Sequence, residues 1–234
     1  MFSLRLLQAI SDWQRGSADM ATRTRRGNAL KEAAVKLAPE FRRADAQCFR
    51  QIALDKESLW QLAVERELPE GISSWTTSLV VAERFKGGVP PIGDWQGVIW
   101  TVRPHAEQVV ANLGLLFSDN RFRRACEEAR KEISYYHDGI AKHSGTQHEV
   151  VLEMERLPLA NVHAMGGYSS SKETMAKWFF GSADAAALAA LENLLAQAGR
   201  ELGPVWVTGD AKQRVLGNMV QLAEQLRRTC PPHA

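Results

Sequence analysis

A charged side chain interrupts an apolar run early in the chain. Residues 47–54 (QCFRQIAL) read as a short strand, and its two-residue period puts Arg50 among apolar neighbours. A guanidinium is almost never buried without an anionic partner, so this position requires an acidic side chain or a bound phosphate or carboxylate. Arg50 is therefore a candidate anion-binding residue, with a structural ion pair to a residue such as Asp45 or Glu153 as the alternative.

Two later segments carry further polar candidates. Residues 70–85 (EGISSWTTSLVVAERF) hold a Ser and Thr cluster before a helical apolar pattern, which predicts a strand end or loop that leads into a helix. In residues 146–154 (TQHEVVLEM) the two-residue period predicts that Gln147 and Glu149 point together, with His148 on the opposite face. Taken singly, the hydroxyls could be helix caps and Glu149 an exposed edge residue.

In this order the segments resemble the Arg, Ser, Glu class of mono-ADP-ribosyltransferases, over roughly residues 44 to 165. The matching residues are Phe49-Arg50, then Ser74-Trp75-Thr76 with Ala82 and Phe85, then Gln147-His148-Glu149. Trp75 stands where the family usually has Thr, and Gln51 where Gly often follows the arginine. The resemblance implies that NAD+ is a substrate and that no metal is needed.

The resemblance also assigns roles to individual residues. It implies Glu149, Gln147, Arg50 and Ser74 as catalytic residues, and Arg50, Ser74, Trp75, Thr76 and Phe85 as NAD+ contacts. Positive charge develops on the ribose as nicotinamide departs, and Glu149 would hydrogen-bond a ribose hydroxyl and stabilise that charge. Arg50 would hold the phosphates or ribose through its rigid donor fork, and Ser74 would support Glu149 and the nicotinamide pocket.

Gln147 bears on the identity of the acceptor. Arginine-modifying members of the family typically carry a second Glu two residues before the catalytic one, where this chain has Gln147. The resemblance then implies an Asn, Gln or Thr side chain or a guanine base, since a neutral amide can pair with these but offers a guanidinium no charge. The preceding loop, residues 142–146 (KHSGT), is expected to meet the acceptor.

The remaining pattern predicts the elements that position these residues. Predicted strands are 47–54, 96–102, 148–154, 160–165 and 204–208. Predicted helices are 28–38 capped by Asn28, 55–68 capped by Asp55, 105–135 broken near Ser118 and Asp119, 183–202 capped by Ser182, and 210–228, with a loop at 86–95.

These elements predict an α+β fold with one catalytic core. The resemblance implies the ADP-ribosyltransferase type, two small packed β-sheets around an NAD+ cleft with flanking N- and C-terminal helices. We expect an N-terminal helical segment over 1–43, the core over 44–167 with a helical insertion at 103–146, and a mainly helical C-terminal extension over 168–234.

Composition limits the class and the location. Hydrophobic residues make up 45% and charged residues 24%, which argues against wholesale disorder. No cleavable signal and no apolar run long enough to span a bilayer is present, so we expect a cytoplasmic protein that does not enter the membrane. The three cysteines fit neither a disulfide framework nor a zinc pattern, and His137, Asp138 and His143 match no standard metal spacing.

Partners and rival functions remain open at this point. The cluster Arg23, Arg25 and Arg26 is either a solvated face or an arm that follows nucleic-acid phosphates, so the acceptor is a protein or a nucleic acid. The C-terminal helices either brace the core or bind a partner such as a neutralising antitoxin. The resemblance fits an intracellular toxin or antiviral defence effector. The rival functions are an NAD+ glycohydrolase and a catalytically inert NAD+- or nucleic-acid-binding module.

Overall fold

A computed structural model describes residues 2–17, 19–85, 88–89, 96–143, 145–168, 172–199 and 204–229. The strands are β1 (Cys48–Leu54), β2 (Glu67–Pro69), β3 (Ile72–Thr76), β4 (Gln96–Val102), β5 (Val109–Asn112), β6 (Glu149–Glu153), β7 (Arg156–Pro158), β8 (Val162–Tyr168) and β9 (Pro204–Val207). The helices are α1 (Leu4–Gln14), α2 (Met20–Ala34), α3 (Lys56–Glu65), α4 (Leu79–Arg84), α5 (Leu113–Ser118), α6 (Asn120–Glu128), α7 (Ile140–His143), α8 (Lys172–Phe180), α9 (Ala185–Gln197) and α10 (Gly209–Thr229). The predicted α+β class is confirmed. Most of the loop predicted at 86–95 lies outside the described residues.

Seven strands form one antiparallel sheet in the order β5-β6-β3-β1-β4-β8-β9, and β2 and β7 form a separate two-stranded ribbon. The large sheet is weakly joined at its centre. β1 pairs with β4 along its whole length, but its register with β3 consists of the single pair Phe49 and Thr76. We call this junction the central seam. Beyond it the two strands diverge, which opens a gap between the two halves of the sheet.

Both faces of β6 are buried, because its side chains alternate between two hydrophobic cores. Val151 packs with the apolar stripes of the N-terminal helices, in a core that includes Leu7, Ile10, Leu30 and Phe122. The residues on either side of Val151 face the opposite core, whose buried members include Cys48, Leu62, Trp100, Val150 and Leu152. The predicted alternation of this strand is confirmed from Val150 to Leu152.

Helix α1 is fixed tightly against the segment that precedes α7. Ser11 is fully buried. Its hydroxyl donates to Ser134 O at 3.2 Å, and Ser11 Oγ also accepts from Ile140 N at 3.3 Å. Gly139 permits the close approach, because a Cβ at this position would lie 2.1 Å from Ser11 Oγ and 2.5 Å from Ser11 O. Gln8 Oε1 adds a bond from Ser134 N at 2.8 Å.

We expect Gly139→Ala to lower the free energy of unfolding by about 1–3 kcal/mol, because the added methyl group meets backbone that cannot rotate away. Gly217→Ala in α10 is the matched control. It has open space around the position, so the same change should raise stability by about 0.5–1 kcal/mol through helix propensity. Urea denaturation of both variants measures the difference. A Gly139→Ala protein as stable as the wild type would contradict the tight packing.

Three helices whose N-caps were predicted begin after a capping side chain, but in two of them the cap is not the predicted residue. Asp55 accepts from Ser58 N at 2.7 Å, so the predicted cap of α3 is confirmed. The predicted caps Asn28 and Ser182 are wrong, because α2 already begins behind Asp19, and α9 begins behind Asp184. The Asp19 carboxylate, nine residues before Asn28, and the Asp184 carboxylate, two residues after Ser182, satisfy the free amides at these helix starts, so each helix begins there.

Part of the segment predicted as helical over 105–135 is a strand. The predicted break is confirmed, since Asp119 accepts from Arg121 N and begins α6. Residues 109–112 instead form β5, which pairs with β6 at the edge of the sheet. Two consecutive β-branched residues, Val109 and Val110, favour the extended form once β6 offers an edge.

The C-terminal extension is joined to the sheet by β9, which pairs with β8, and by α10, whose Leu216 is buried in the same core as Trp100. Lys212 Nζ donates to Val162 O at 2.7 Å, and Arg66 forms an ion pair with Glu224 at 2.7 Å. No single helix of the described residues has the length and apolar character to cross a membrane. Only α8 and α9 together pass that test, and they are bent by 95°.

Candidate active site

Ser74 and Glu149 meet on one face of the sheet beside the central seam. β3 and β6 pair so that Ser74 lies opposite Val151 and Thr76 opposite Glu149, which places Ser74 diagonally next to Glu149. The Ser74 hydroxyl donates to Glu149 Oε1 at 2.5 Å. Glu149 is only 6% exposed, so its carboxylate depends on protein donors rather than on bulk water.

Two more donors reach Glu149 from the last turn of α1. Trp13 Nε1 donates to Oε1 at 2.9 Å, and Gln14 Nε2 donates to Oε2 at 3.1 Å. With Ser74, three side chains therefore hold this one carboxylate. Hydrogen bonds to an ionised acceptor are the strong ones among those in proteins, so the position of the Glu149 carboxylate is well fixed.

Arg50 lies on the other side of the seam, paired with an acid that the sequence analysis did not name. Its Nε donates to Glu70 Oε2 at 3.2 Å, and both side chains are 13% exposed. The alternative of an ion pair at Arg50 is therefore confirmed, but with Glu70 as the partner, because Asp45 pairs with Arg43 and Glu153 with Lys31. Burial lowers the pKa of Arg50, and the Glu70 carboxylate opposes that shift, so the guanidinium stays charged.

The same guanidinium bridges the gap at the seam. Arg50 Nη1 donates to the backbone oxygen of Ser74 at 2.9 Å. The bond joins β1 to β3 and satisfies a backbone carbonyl of β3. A guanidinium has five N–H donors, so these two bonds leave it capable of binding an anion as well.

Gln147 reaches the site from a turn and not from a strand. β6 begins at Glu149, and His148 has a left-handed backbone with φ 48°, so the two-residue period predicted for this stretch does not extend to Gln147. The Thr76 hydroxyl donates to Gln147 O at 2.7 Å and accepts from Ser78 N at 3.1 Å. Thr76 thereby joins the turn to the start of α4 and holds Gln147 beside Glu149.

A small cavity collects the predicted site residues from all three segments. It encloses about 70 Å³, room for roughly five waters. Its lining comprises Phe49, Arg50, Gln51, Ser74, Trp75, Thr76, Val81, Ala82, Phe85, Gln147 and Glu149. The cavity therefore combines a carboxylate, a guanidinium and an amide with an apolar wall from α4.

Trp75 and Phe85 are two of the predicted NAD+ contacts, and they differ widely in their exposure. The Trp75 indole is 3% exposed, packs in the core around Trp100, and donates from Nε1 to Ser73 Oγ at 3.0 Å. Its side chain thus lies on the face of β3 opposite Ser74, as strand alternation requires, so the indole packs in the core although Trp75 is also part of the cavity lining. Phe85 follows α4 and is 44% exposed at the cavity wall.

A larger cavity of about 640 Å³ lies between α1, α2 and α6. It contains none of the predicted site residues, and its apolar floor includes Phe2, Leu6 and Phe41. The smaller cavity is the better candidate for chemistry, because convergent polar groups in a concave site, more than volume, mark a reactive centre.

Other titratable groups of the described chain offer no rival nucleophile or metal centre. Burial raises the pKa of Cys48 to about 11 and that of Cys126 to about 12, so neither is a thiolate at neutral pH. Burial also lowers the pKa of His143, helped by Lys142 and opposed by the Glu149 charge, which keeps this imidazole neutral near the site. No group of three metal-ligating side chains occurs in the described residues.

Trp13, Gln14 and Glu70 are the site residues that sequence reasoning missed. One signal for Gln14 was present, since Leu7, Ser11 and Gln14 recur at helical spacing, so polar residues fall in the buried stripe of α1. Nothing local marked Glu70 as the partner of Arg50, because their pairing depends on the strand order.

No protein-family model, curated protein or solved structure matches the chain. The chemistry of the site is therefore inferred from its own side chains.

Proposed function

We propose that the chain is a mono-ADP-ribosyltransferase that transfers ADP-ribose from NAD+ to an acceptor other than arginine and releases nicotinamide. The single observation that carries the proposal is the cavity at the central seam, where Arg50, Ser74, Gln147 and Glu149 converge. We further propose that it acts in the cytoplasm on a protein or nucleic acid, as a toxin or antiviral defence effector that a neutralising protein could restrain.

Glu149 supplies the charge that the reaction needs. The bond between the ribose C1′ and the nicotinamide nitrogen breaks, its electron pair neutralises the pyridinium nitrogen, and positive charge develops on the ribose. The Glu149 carboxylate, fixed by Ser74 Oγ at 2.5 Å, accepts a hydrogen bond from a ribose hydroxyl and stabilises that charge. The acceptor nitrogen or oxygen then forms the new bond to C1′ and releases its proton to solvent.

Arg50 binds the anionic part of NAD+. Glu70 and the Ser74 carbonyl hold the guanidinium from two sides, so its planar fork is already oriented for a phosphate. The enclosed 70 Å³ is well below the 300–1,000 Å³ typical of small-molecule sites. The cavity is too small for the whole dinucleotide, so most of NAD+ would extend outside it past Arg50.

The strand arrangement supports the proposed fold type. Because β1 and β3 share a single residue pair, the sheet divides into a half with β5, β6 and β3 and a half with β1, β4, β8 and β9. The strands form one seven-stranded sheet, and we propose that its two halves take the place of the two small sheets expected around an NAD+ cleft. Arg50 comes from one half and Glu149 from the other, so a ligand in the gap contacts both.

Gln147 selects the acceptor in this proposal. Its turn lies next to Glu149 on the cavity wall, and its amide can both donate to and accept from an Asn or Gln side chain or a base edge. A guanidinium would find no second carboxylate at this position, so arginine is disfavoured.

The test is to incubate the protein with NAD+ labelled in its adenine and with whole-cell lysate, and to treat separate portions with protease and nuclease. Label of high molecular mass that one treatment removes supports transfer and names the acceptor class. Nicotinamide release in the absence of any macromolecule, with no labelled acceptor in lysate, would show an NAD+ glycohydrolase instead. Unchanged NAD+ after prolonged incubation would show an inert binding module.

A further inference from the structure

We infer that Trp13 and Gln14 are positioning residues that aim one oxygen of the Glu149 carboxylate at the ribose of NAD+. The inference rests on the proposed function and adds to it a part of the chain outside the segments that resemble the family. It follows from the three hydrogen bonds to Glu149, two of which come from the last turn of α1.

Counting acceptor positions distinguishes the two carboxylate oxygens. Each carboxylate oxygen offers about two lone-pair positions. Oε1 receives both Trp13 Nε1 and Ser74 Oγ, so it is saturated. Among the residues that the structure describes, Oε2 receives only Gln14 Nε2, which leaves one position. A ribose hydroxyl can therefore donate to Oε2, and α1 decides which oxygen is left available.

Packing alone does not explain a glutamine at this position. Gln14 is 8% exposed, and its Oε1 has no hydrogen-bond partner among the described residues. Burying an unsatisfied amide oxygen is unfavourable, and an apolar side chain of the same length would avoid that cost. The amide must also point its NH2 group at Glu149, because its oxygen would be repelled by the carboxylate. The glutamine is thus explained by the donor that it gives to Glu149.

The helix that carries these donors is held independently of the site. Ser11, one turn before Gln14, is locked between Ser134 O and Ile140 N. Gln8 makes a further bond to Ser134. Losing a single donor at the end of α1 should consequently leave the helix in place and free the carboxylate to rotate.

The experiment compares Gln14→Met and Trp13→Phe with the wild type in a nicotinamide-release assay. Each change removes one N–H donor and keeps most of the side-chain volume. We expect kcat to fall about 10-fold in each variant, while KM for NAD+ changes by less than about twofold, because the lost interaction acts on the transition state. Arg5→Met is the matched control on the same helix, because Arg5 is 71% exposed and pairs only at the surface with Glu32, so kcat should stay within about twofold of the wild type.

A second arm separates positioning from a general structural effect. In the Glu149→Gln background, adding Gln14→Met should leave the residual turnover unchanged, since Gln14 acts only through the carboxylate. A structural role would lower turnover by the same factor in both backgrounds. Urea denaturation of each variant confirms that the folded protein is being assayed.

The outcomes are distinct. Unchanged kcat in both single variants, or equal loss in the Glu149→Gln background, overturns the positioning role while the proposed function stands. Increased turnover in either variant also overturns it, because α1 would then be blocking the site. A wild-type protein that leaves NAD+ intact overturns the proposed function, and this inference with it.

Discussion

Glu149→Gln is expected to lower the rate of nicotinamide release about 100- to 1,000-fold, or ~3–4 kcal/mol in the activation free energy. The substitution keeps the shape of the side chain and removes the negative charge that would stabilise the developing positive charge on ribose. Trp13 and Ser74 both donate to Oε1, so the new amide must place its oxygen on their side. Its NH2 group then faces Gln14.

The protein should nevertheless remain folded, because Gln14 can adapt to that amide. A rotation of the Gln14 amide presents its unpartnered Oε1 to the new NH2 group. Glu153→Gln is the matched control, since it makes the same change on the same strand. The Glu153 side chain is 40% exposed and forms an ion pair with Lys31. Its turnover should stay within about twofold of the wild type. Full activity in the Glu149→Gln protein would remove Glu149 from the site.

Arg50→Lys is expected to lower kcat/KM for NAD+ about 10- to 150-fold, which corresponds to the ~1.5–3 kcal/mol of a hydrogen bond to a charged group. An ammonium keeps the charge next to Glu70, but it cannot donate in a planar fork to Glu70, to the Ser74 carbonyl and to a phosphate at once. Binding of the dinucleotide should suffer most, so the KM for NAD+ should rise. Steady-state kinetics with varied NAD+ measure the effect.

Arg156→Lys provides the control for that substitution. Arg156 also lies on a strand and forms an ion pair, with Glu67 at 2.7 Å, but its side chain is 60% exposed. Exposed pairs contribute about 0–1 kcal/mol, so both stability and kinetics should change little. If Arg50 were only structural, Arg50→Lys would lower the free energy of unfolding and leave kcat/KM of the folded protein unaltered. That result would exclude an NAD+ contact at Arg50.

Local patterns predicted much of the framework and several of the residues at the cavity. The segments around Arg50 and Glu149 form the predicted strands β1 and β6, because their apolar alternation survives in the packed sheet. Alternation also explains why the Trp75 indole packs in the core while the Ser74 hydroxyl contacts Glu149. Neighbours on a strand face opposite ways, so the side chains of Ser74 and Trp75 lie on opposite faces of β3.

The parts that sequence reasoning missed depend on contacts between distant segments. Glu70 meets Arg50 across 20 positions of sequence because the strand order places β3 next to β1, and Gln14 meets Glu149 across 135 positions. The segment 109–112 becomes β5 because β6 offers it an edge, although it adjoins a helical region. In each case the deciding partner lies outside the window in which periodicity can be recognised.

Glu149 lies far along the sequence from its donors in α1, and this has a consequence for synthesis of the chain on the ribosome. Helix α1 emerges before β6, so Trp13 and Gln14 cannot contact the Glu149 carboxylate until β6 has been translated. Contacts this far apart in sequence form late, and domains generally fold as units once their chain is available. If the protein consumes NAD+ through Glu149, a growing chain cannot do so before β6 has been translated.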